Sequence, residues 1–223
     1  MIPKSKHTRL LIVSAALLAA GTAFWYYKAT GRQDEHSIAA MAANPYNLHL
    51  IDSCEALLQN GDIVVRTGND MTSEMFREAN RKDKTYSHCG IVLVEEGKPY
   101  IYHSIGGEDN PDEVLRRDNI QAWASPLHNS GSGILRYHFT PAQVDSLARI
   151  TRRYYNQHKK FDLQFDISND DKLYCAELLY QAINKSLGKA VIQPTKWMGY
   201  TYVAVDNITK TDYCEWICQV RFK

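Results

Sequence analysis

Three hydrophobic patterns follow one another along the chain. The first is an unbroken uncharged run, Leu10–Tyr27 (LLIVSAALLAAGTAFWYY). As a helix its 18 residues would rise about 27 Å, close to the roughly 30 Å hydrocarbon core of a bilayer. The second is a set of short β-branched or alternating runs. Ile63–Val65, Ser87–Val94, Tyr100–Ile105, Ile134–Phe139 and residues 213–222 read as strands. In the last of these, alternation places Cys214, Trp216, Cys218, Val220 and Phe222 on one face. The third pattern has helical spacing. Thr140-Pro141 opens a helix, with Thr as N-cap, Pro in the first turn and Gln143 three residues after the cap; Val144, Leu147, Ala148, Thr151 and Tyr155 continue it. Tyr174–Ser186 is a second amphipathic helix, stopped by Gly188. Shorter helices are expected over Ser53–Asn60 and Ser73–Asn80. Residues 105–132 read as loop, and Glu96-Gly97-Lys98-Pro99 as the turn of a hairpin. These elements give an α+β class, an antiparallel sheet with helices on one side.

Charge sharpens the division of the chain. The 223 residues carry a net charge of +1, but Lys4, Lys6, Arg9 and Lys28 all lie in residues 1–28 beside no acid. Without those four, 22 basic residues face 25 acidic ones, a balance of −3. A basic head before an apolar run, closed by Phe24-Trp25-Tyr26-Tyr27-Lys28, is the pattern of a signal anchor with its N-terminus in the cytoplasm. A cleaved signal peptide is the alternative, with Gly21-Thr22-Ala23 as the small-residue site. Both place the remainder outside the cytoplasmic membrane. The chain thus divides into residues 1–28 (anchor or signal), 29–47 (linker) and a single domain over 48–223. Hydrophobic content of 44% excludes a disordered chain, 5 Cys are too few for a disulfide scaffold, and the charge gives no reason to expect a nucleic-acid partner.

Among 5 Cys and 8 His, setting singles out three. Cys175 opens a helix, where the positive end of the macrodipole favours a thiolate and unpaired backbone N–H groups can hold an oxyanion. Its bland alternative is a small buried residue at a helix start. His88 opens a hydrophobic strand directly after a polar loop, placed to face a cleft; the alternative is a satisfied edge histidine. His103 lies in the next strand. Pairing about a turn near residue 97 sets position 88 opposite 105–106, with His103 diagonal to His88 and able to fix its tautomer. Cys89 alternates away from His88 and reads as core. No CxxC pair and no HExxH supports a metal, and no cofactor is expected. Disulfides among Cys54, Cys89, Cys214 and Cys218 are permitted and unassigned.

Gly61-Asp62-Ile63-Val64-Val65, Tyr86-Ser87-His88-Cys89-Gly90-Ile91-Val92 and Tyr174-Cys175-Ala176-Glu177-Leu178-Leu179 together resemble the NlpC-type papain-like cysteine hydrolases. The His strand precedes the Cys helix, the order of the circularly permuted, YiiX/YebB-like branch (permuted papain-like amidases). The resemblance implies a permuted papain-like fold, with a small antiparallel barrel packed on the Cys helix. It implies Cys175 as nucleophile and His88 as general base. The orienting position falls on His103, where that branch often carries Glu. The backbone of Cys175 is implied for the oxyanion, and Tyr174 and Tyr86 are candidate pocket residues. The expected activity is hydrolysis of an amide bond in cell-wall peptides or related N-acyl compounds. Two rivals stand beside it: a lipid-directed acyl hydrolase or acyltransferase of the same fold, and a non-catalytic binding module.

Overall fold

The structure is a computed structural model and describes residues 36–107 and 110–223. The apolar run Leu10–Tyr27, with its candidate cleavage site, lies outside these residues. Among the described residues no helix is long and apolar enough to cross a membrane.

A six-stranded, fully antiparallel sheet runs in the order β4-β3-β2-β1-β5-β8. Its strands are β1 (Ile63–Gly68), β2 (His88–Glu95), β3 (Lys98–His103), β4 (Arg116–Asp118), β5 (Asn129–Tyr137) and β8 (Cys214–Arg221). The sheet is open, with β4 and β8 as its edges, rather than the small barrel expected. Central β1 and β2 are buried on both faces, which is why IVV and GIVLV read as continuous apolar runs.

On one face lie the two long helices, α5 (Pro141–Asn156) and α6 (Cys175–Leu187). They pack Leu147, Tyr154, Leu178, Leu179 and Ile183 against Val65, Cys89, Ile91 and Leu93. The expected capping box of α5 forms, between Thr140 and Gln143. Gly188 ends α6 in the left-handed region at φ +66°. The other face is covered as well, which corrects the one-sided arrangement. There α2 (Pro45–Glu55) and α4 (Ile120–Trp123) bury Ile51, Cys54, Ile120 and Trp123 against Val64, Val92, Ile101 and Ile134.

Several boundaries move. Residues 36–43 are helical (α1), and α2 starts at Pro45, not Ser53. Asn44 caps it by accepting from Tyr46 N at 3.0 Å. Asn47, in the span read as linker, is fully buried and clamps the C-terminal residue, accepting from Lys223 N at 3.0 Å and donating to Lys223 O at 2.7 Å. The expected loop 105–132 holds β4, α4 and the start of β5. A hairpin of β6 (Thr195–Trp197) and β7 (Tyr200–Tyr202), then α7 (Val205–Thr209), fill the stretch before β8. Helix α3 (Met71–Ala79) lies close to its expected position.

The terminal strand does not keep one face. Ile134 pairs with Cys218 but Leu135 with Trp216, so one residue of β8 is extra. This bulge reverses the alternation. Cys214 and Trp216 join the core under α5 and α6, whereas Cys218, Val220 and Phe222 join the opposite one.

Candidate functional site

The two sides of the sheet meet at the end where β1 finishes and β2 begins. Ser87, just before β2, fixes this junction: its hydroxyl accepts from Gly68 N at 2.9 Å and its backbone N–H donates to Arg66 O at 3.0 Å. His88 follows as the first residue of β2, opposite Arg66 of β1. The β2–β3 register pairs Ile91 with Tyr102, which sets His103 across from Gly90 and diagonal to His88, as the hairpin arithmetic requires. At Gly90 a Cβ would come within 2.5 Å of the Ile101 side chain and 3.3 Å of the His103 Cβ, so a side chain there would displace Ile101 and crowd His103.

A hydrogen-bonded chain then runs outward. His88 Nε2 and His103 Nδ1 are 3.0 Å apart, His103 Nε2 and Asp118 Oδ2 are 3.0 Å apart, and Arg116 Nη2 donates to Asp118 Oδ1 at 3.0 Å. Trp123 walls it, its ring 5.1 Å from that of His88 and 4.8 Å from that of His103. Burial would raise the Asp118 carboxyl, but the bond from His103 and the charge of Arg116 outweigh it and hold the group below its ordinary value. Burial lowers His103 to about 4, against the opposing pull of Asp118. His88 is pushed well below its usual range by burial, by the Arg66 charge and by His103. Both rings are therefore neutral near pH 7. A carboxylate only accepts, so the His103 proton sits on Nε2 and its Nδ1 is an acceptor. His88 must then donate from Nε2. The lone pair that remains, on His88 Nδ1, is the basic one, and it makes no hydrogen bond among the described residues.

Cys175 approaches from the other face. Tyr174 is the N-cap of α6 and Cys175 its first residue. The acidic stretch before it is tethered: Tyr154 Oη donates to Asp170 Oδ2 at 2.8 Å, and Lys185 Nζ donates to both atoms at 2.8 Å. The Ser104 hydroxyl donates to Leu173 O, and Leu173 N to Lys160 O at 2.9 Å. Tyr174 Oη accepts from Val203 N at 2.8 Å. The Cys175 thiol is buried against the thiol of Cys89, and its acidity is increased: the Cys89 contact stabilises the thiolate and burial opposes it, while the backbone N–H of Ala176 and the Arg66 charge assist. Cys89 is core, as expected, but core that touches the candidate nucleophile.

Cys175 and His88 line one cavity of about 1370 Å³. No hydrogen bond joins them among the described residues. Arg66 lies on the cavity wall, its Nη1 donating to Trp123 O at 2.9 Å and its guanidinium 4.6 Å from the Trp123 ring centre. The wall continues through Phe76, Phe165 and Tyr174, whose rings stand 5.7 and 5.1 Å apart in turn. The β6–β7 hairpin closes the far side. Arg81 stacks on Trp197 at 3.7 Å, and Tyr202 Oη donates to Ala79 O at 2.9 Å. The rim is apolar and open: Met75, Leu163 and Tyr200 are 70%, 66% and 73% exposed.

Of the residues singled out by sequence, Cys175, His88, His103 and Tyr174 lie at this site. Tyr86 does not. It is buried beneath β8, stacked on Trp216 at 5.5 Å, with its hydroxyl accepting from Gln219 at 2.9 Å. Asp118, Arg66 and Trp123 were missed. Arg66 had a signal, a charge inside an otherwise apolar strand. Asp118 had none, because a three-residue edge strand leaves no periodicity. Among the described residues no group of three or more His, Cys, Asp or Glu could hold a metal ion.

No family model matches the chain. Among curated proteins it is 25% identical over 140 residues to the uncharacterized protein YiiX of Escherichia coli K12, spanning 62% of this chain and 63% of that protein. A crystal structure described as the metalloprotein YiiX of Escherichia coli O157:H7 superposes with a TM-score of 0.60 at 19% identity, covering 73% of this chain and 98% of that one. The chain is thus similar to YiiX in sequence and in fold. Its match covers under two thirds of the curated relative's length, and the fold likeness is to an α+β architecture with an antiparallel sheet against helices.

Proposed function

We propose that this YiiX-like protein is a cysteine hydrolase of the permuted papain-like kind, cleaving an amide bond outside the cytoplasmic membrane. The observation that carries the reading is the chain Asp118–His103–His88. It leaves one basic lone pair, on His88 Nδ1, in the cavity that also holds an acidified thiol. In this mechanism His88 Nδ1 accepts the thiol proton of Cys175. The thiolate attacks the substrate carbonyl carbon, and the backbone N–H of Cys175 at the start of α6 meets the oxyanion. The imidazolium returns the proton to the leaving amine, and water, deprotonated by His88, releases the acyl group. His103 and Asp118 act through His88 as positioning residues. Cys175 and His88 line the same cavity without a mutual hydrogen bond, and the proton transfer requires the pair to draw together when substrate binds.

The substrate expected is a peptide of the cell wall or a related N-acyl amino compound. The exposed apolar rim of Met75, Leu163 and Tyr200 favours a second reading, a lipid acyl chain entering the same cavity. In either case Leu10–Tyr27 would hold the enzyme at, or export it across, the membrane. The relative's description as a metalloprotein finds no donor cluster here among the described residues, and no step is assigned to a metal. The test is incubation with cell-wall peptide fragments and, separately, lipid esters, read by product release and intact-protein mass. An acyl adduct on Cys175 and hydrolysis lost in Cys175→Ala, with unfolding temperature unchanged, are expected. Full hydrolysis by Cys175→Ala would overturn the reading, and hydrolysis of lipid esters alone would select the second.

A further inference from the structure

The seam between α2 and the edge strand β8 holds a second pair of cysteines, neither of which lines the cavity of the candidate site. Cys54 Sγ and Cys218 Sγ are 2.9 Å apart, although the two residues stand 164 positions apart in the chain. That is closer than non-bonded atoms ordinarily pack, about 3.5–4.0 Å even for carbon, which is smaller than sulfur. The pair sits in an apolar cluster that also holds Ile51, Ile217 and Phe222, and no group of three or more metal donors exists among the described residues. The bulge in β8 is what brings Cys218 to this face, since strict alternation from Cys214 would place it in the other core. The end of the same strand is already pinned to α2, by Asn44 Nδ2 and Asn47 Nδ2 donating to Lys223 O at 3.0 and 2.7 Å.

We propose that Cys54 and Cys218 are a disulfide-forming pair that staples α2 to the edge strand β8. The inference is independent of the hydrolase reading. The step is a two-electron oxidation by a small disulfide of the glutathione type. Cys218 is half-buried and Cys54 buried, so Cys218 meets the oxidant first. As thiolate it attacks one sulfur of the oxidant, and the other sulfur leaves and takes up the proton. Cys54 then displaces the remaining thiol from the mixed disulfide, giving one protein disulfide and two reduced small thiols. Burial and the adjacent Cys218 push the Cys54 thiol up to about 12, which slows this second displacement in the folded chain. The bond is accordingly made fastest while the chain is folding in an oxidising compartment.

The test uses the full chain exported to an oxidising compartment, and the cytosolic protein incubated with oxidised glutathione. Free thiols are alkylated under denaturing, non-reducing conditions and mapped by mass spectrometry. The expected result is three alkylated cysteines, Cys89, Cys175 and Cys214, with Cys54 and Cys218 in one cross-linked peptide pair. Reduction should lower the unfolding temperature by about 5–15 °C, because the bridge closes most of the domain into one loop. Cys218→Ser and Cys54→Ser should each lose the cross-link, and Cys214→Ser should keep it. Five alkylated cysteines under both conditions, or a bridge between any other pair, would overturn the proposal.

Discussion

The two faces of the central sheet are built by different means. Under α5 and α6 the core is made by long helices whose apolar residues recur with helical spacing, and the sheet residues they cover alternate in step. Under α2 and α4 the core is made by an 11-residue helix and a single turn, and much of its filling is one side chain, Trp123. The candidate nucleophile belongs to the first face and the candidate base to the second. Cys175 touches Cys89, which alternates with His88 along β2, while His88 and His103 lean on Trp123. The site therefore depends on the sheet ending where it does: only past the last β1 and β2 rungs can groups from opposite faces share a cavity. The face under the long helices carries the thiol and its helix terminus. The thinner face carries the polar chain that sets the tautomer.

The sharpest way to break this comparison is Asp118→Asn. The amide would donate to His103 Nε2, reverse both hydrogen bonds and leave the proton on His88 Nδ1. Hydrolysis should fall by roughly 10⁴-fold with little loss of stability; an unchanged kcat would show that the polar chain is not used. Trp123→Ala attacks the same face through packing. It should cost about 3–5 kcal/mol in denaturant unfolding, because Trp123 is fully buried in that short-element core and its neighbours can only partly fill the space it leaves.

Acid separates the faces further. Folded His103 titrates near 4 and the unfolded residue near 6.5, so the unfolded chain binds the proton first. Stability present above pH 6.5 should drain away as pH falls toward 4, by up to about 3 kcal/mol, and His103→Gln should flatten that limb. The helical face has the opposite sensitivity. Burial raises Glu177 from its ordinary 4.5 to about 8, with Oε1 unpartnered and Oε2 accepting from Tyr174 N at 3.4 Å. Its contribution is whole below pH 4.5 and is lost as pH rises toward 8. Glu177→Gln should be more stable than the native chain above pH 8, by about 1 kcal/mol, since the amide still buries an unpaired atom. A Glu177→Gln chain that loses stability in step with wild type would place the alkaline weakness elsewhere.

What the sequence determined by itself was what local physics determines. The N-cap, proline and Gln143 started α5, Gly188 stopped α6, and β-branched runs made β1 and β2. A two-strand turn near residue 97 was enough to put His103 diagonal to His88. Those signals act over a few residues, so they survive without knowledge of the fold. The tertiary structure alone decided the rest. It converted three residues of expected loop into β4, and so supplied Asp118. It took Tyr86 out of the pocket and into the core beneath β8. A single extra residue in β8 turned Cys218 away from Cys214 and toward Cys54. It also brought Cys89 and Cys175 together from 86 positions apart. Each of these is a contact between segments far apart in the chain, fixed by strand register and by which face a side chain takes. A one-residue change in either moves every later side chain across the sheet, and no local pattern records it.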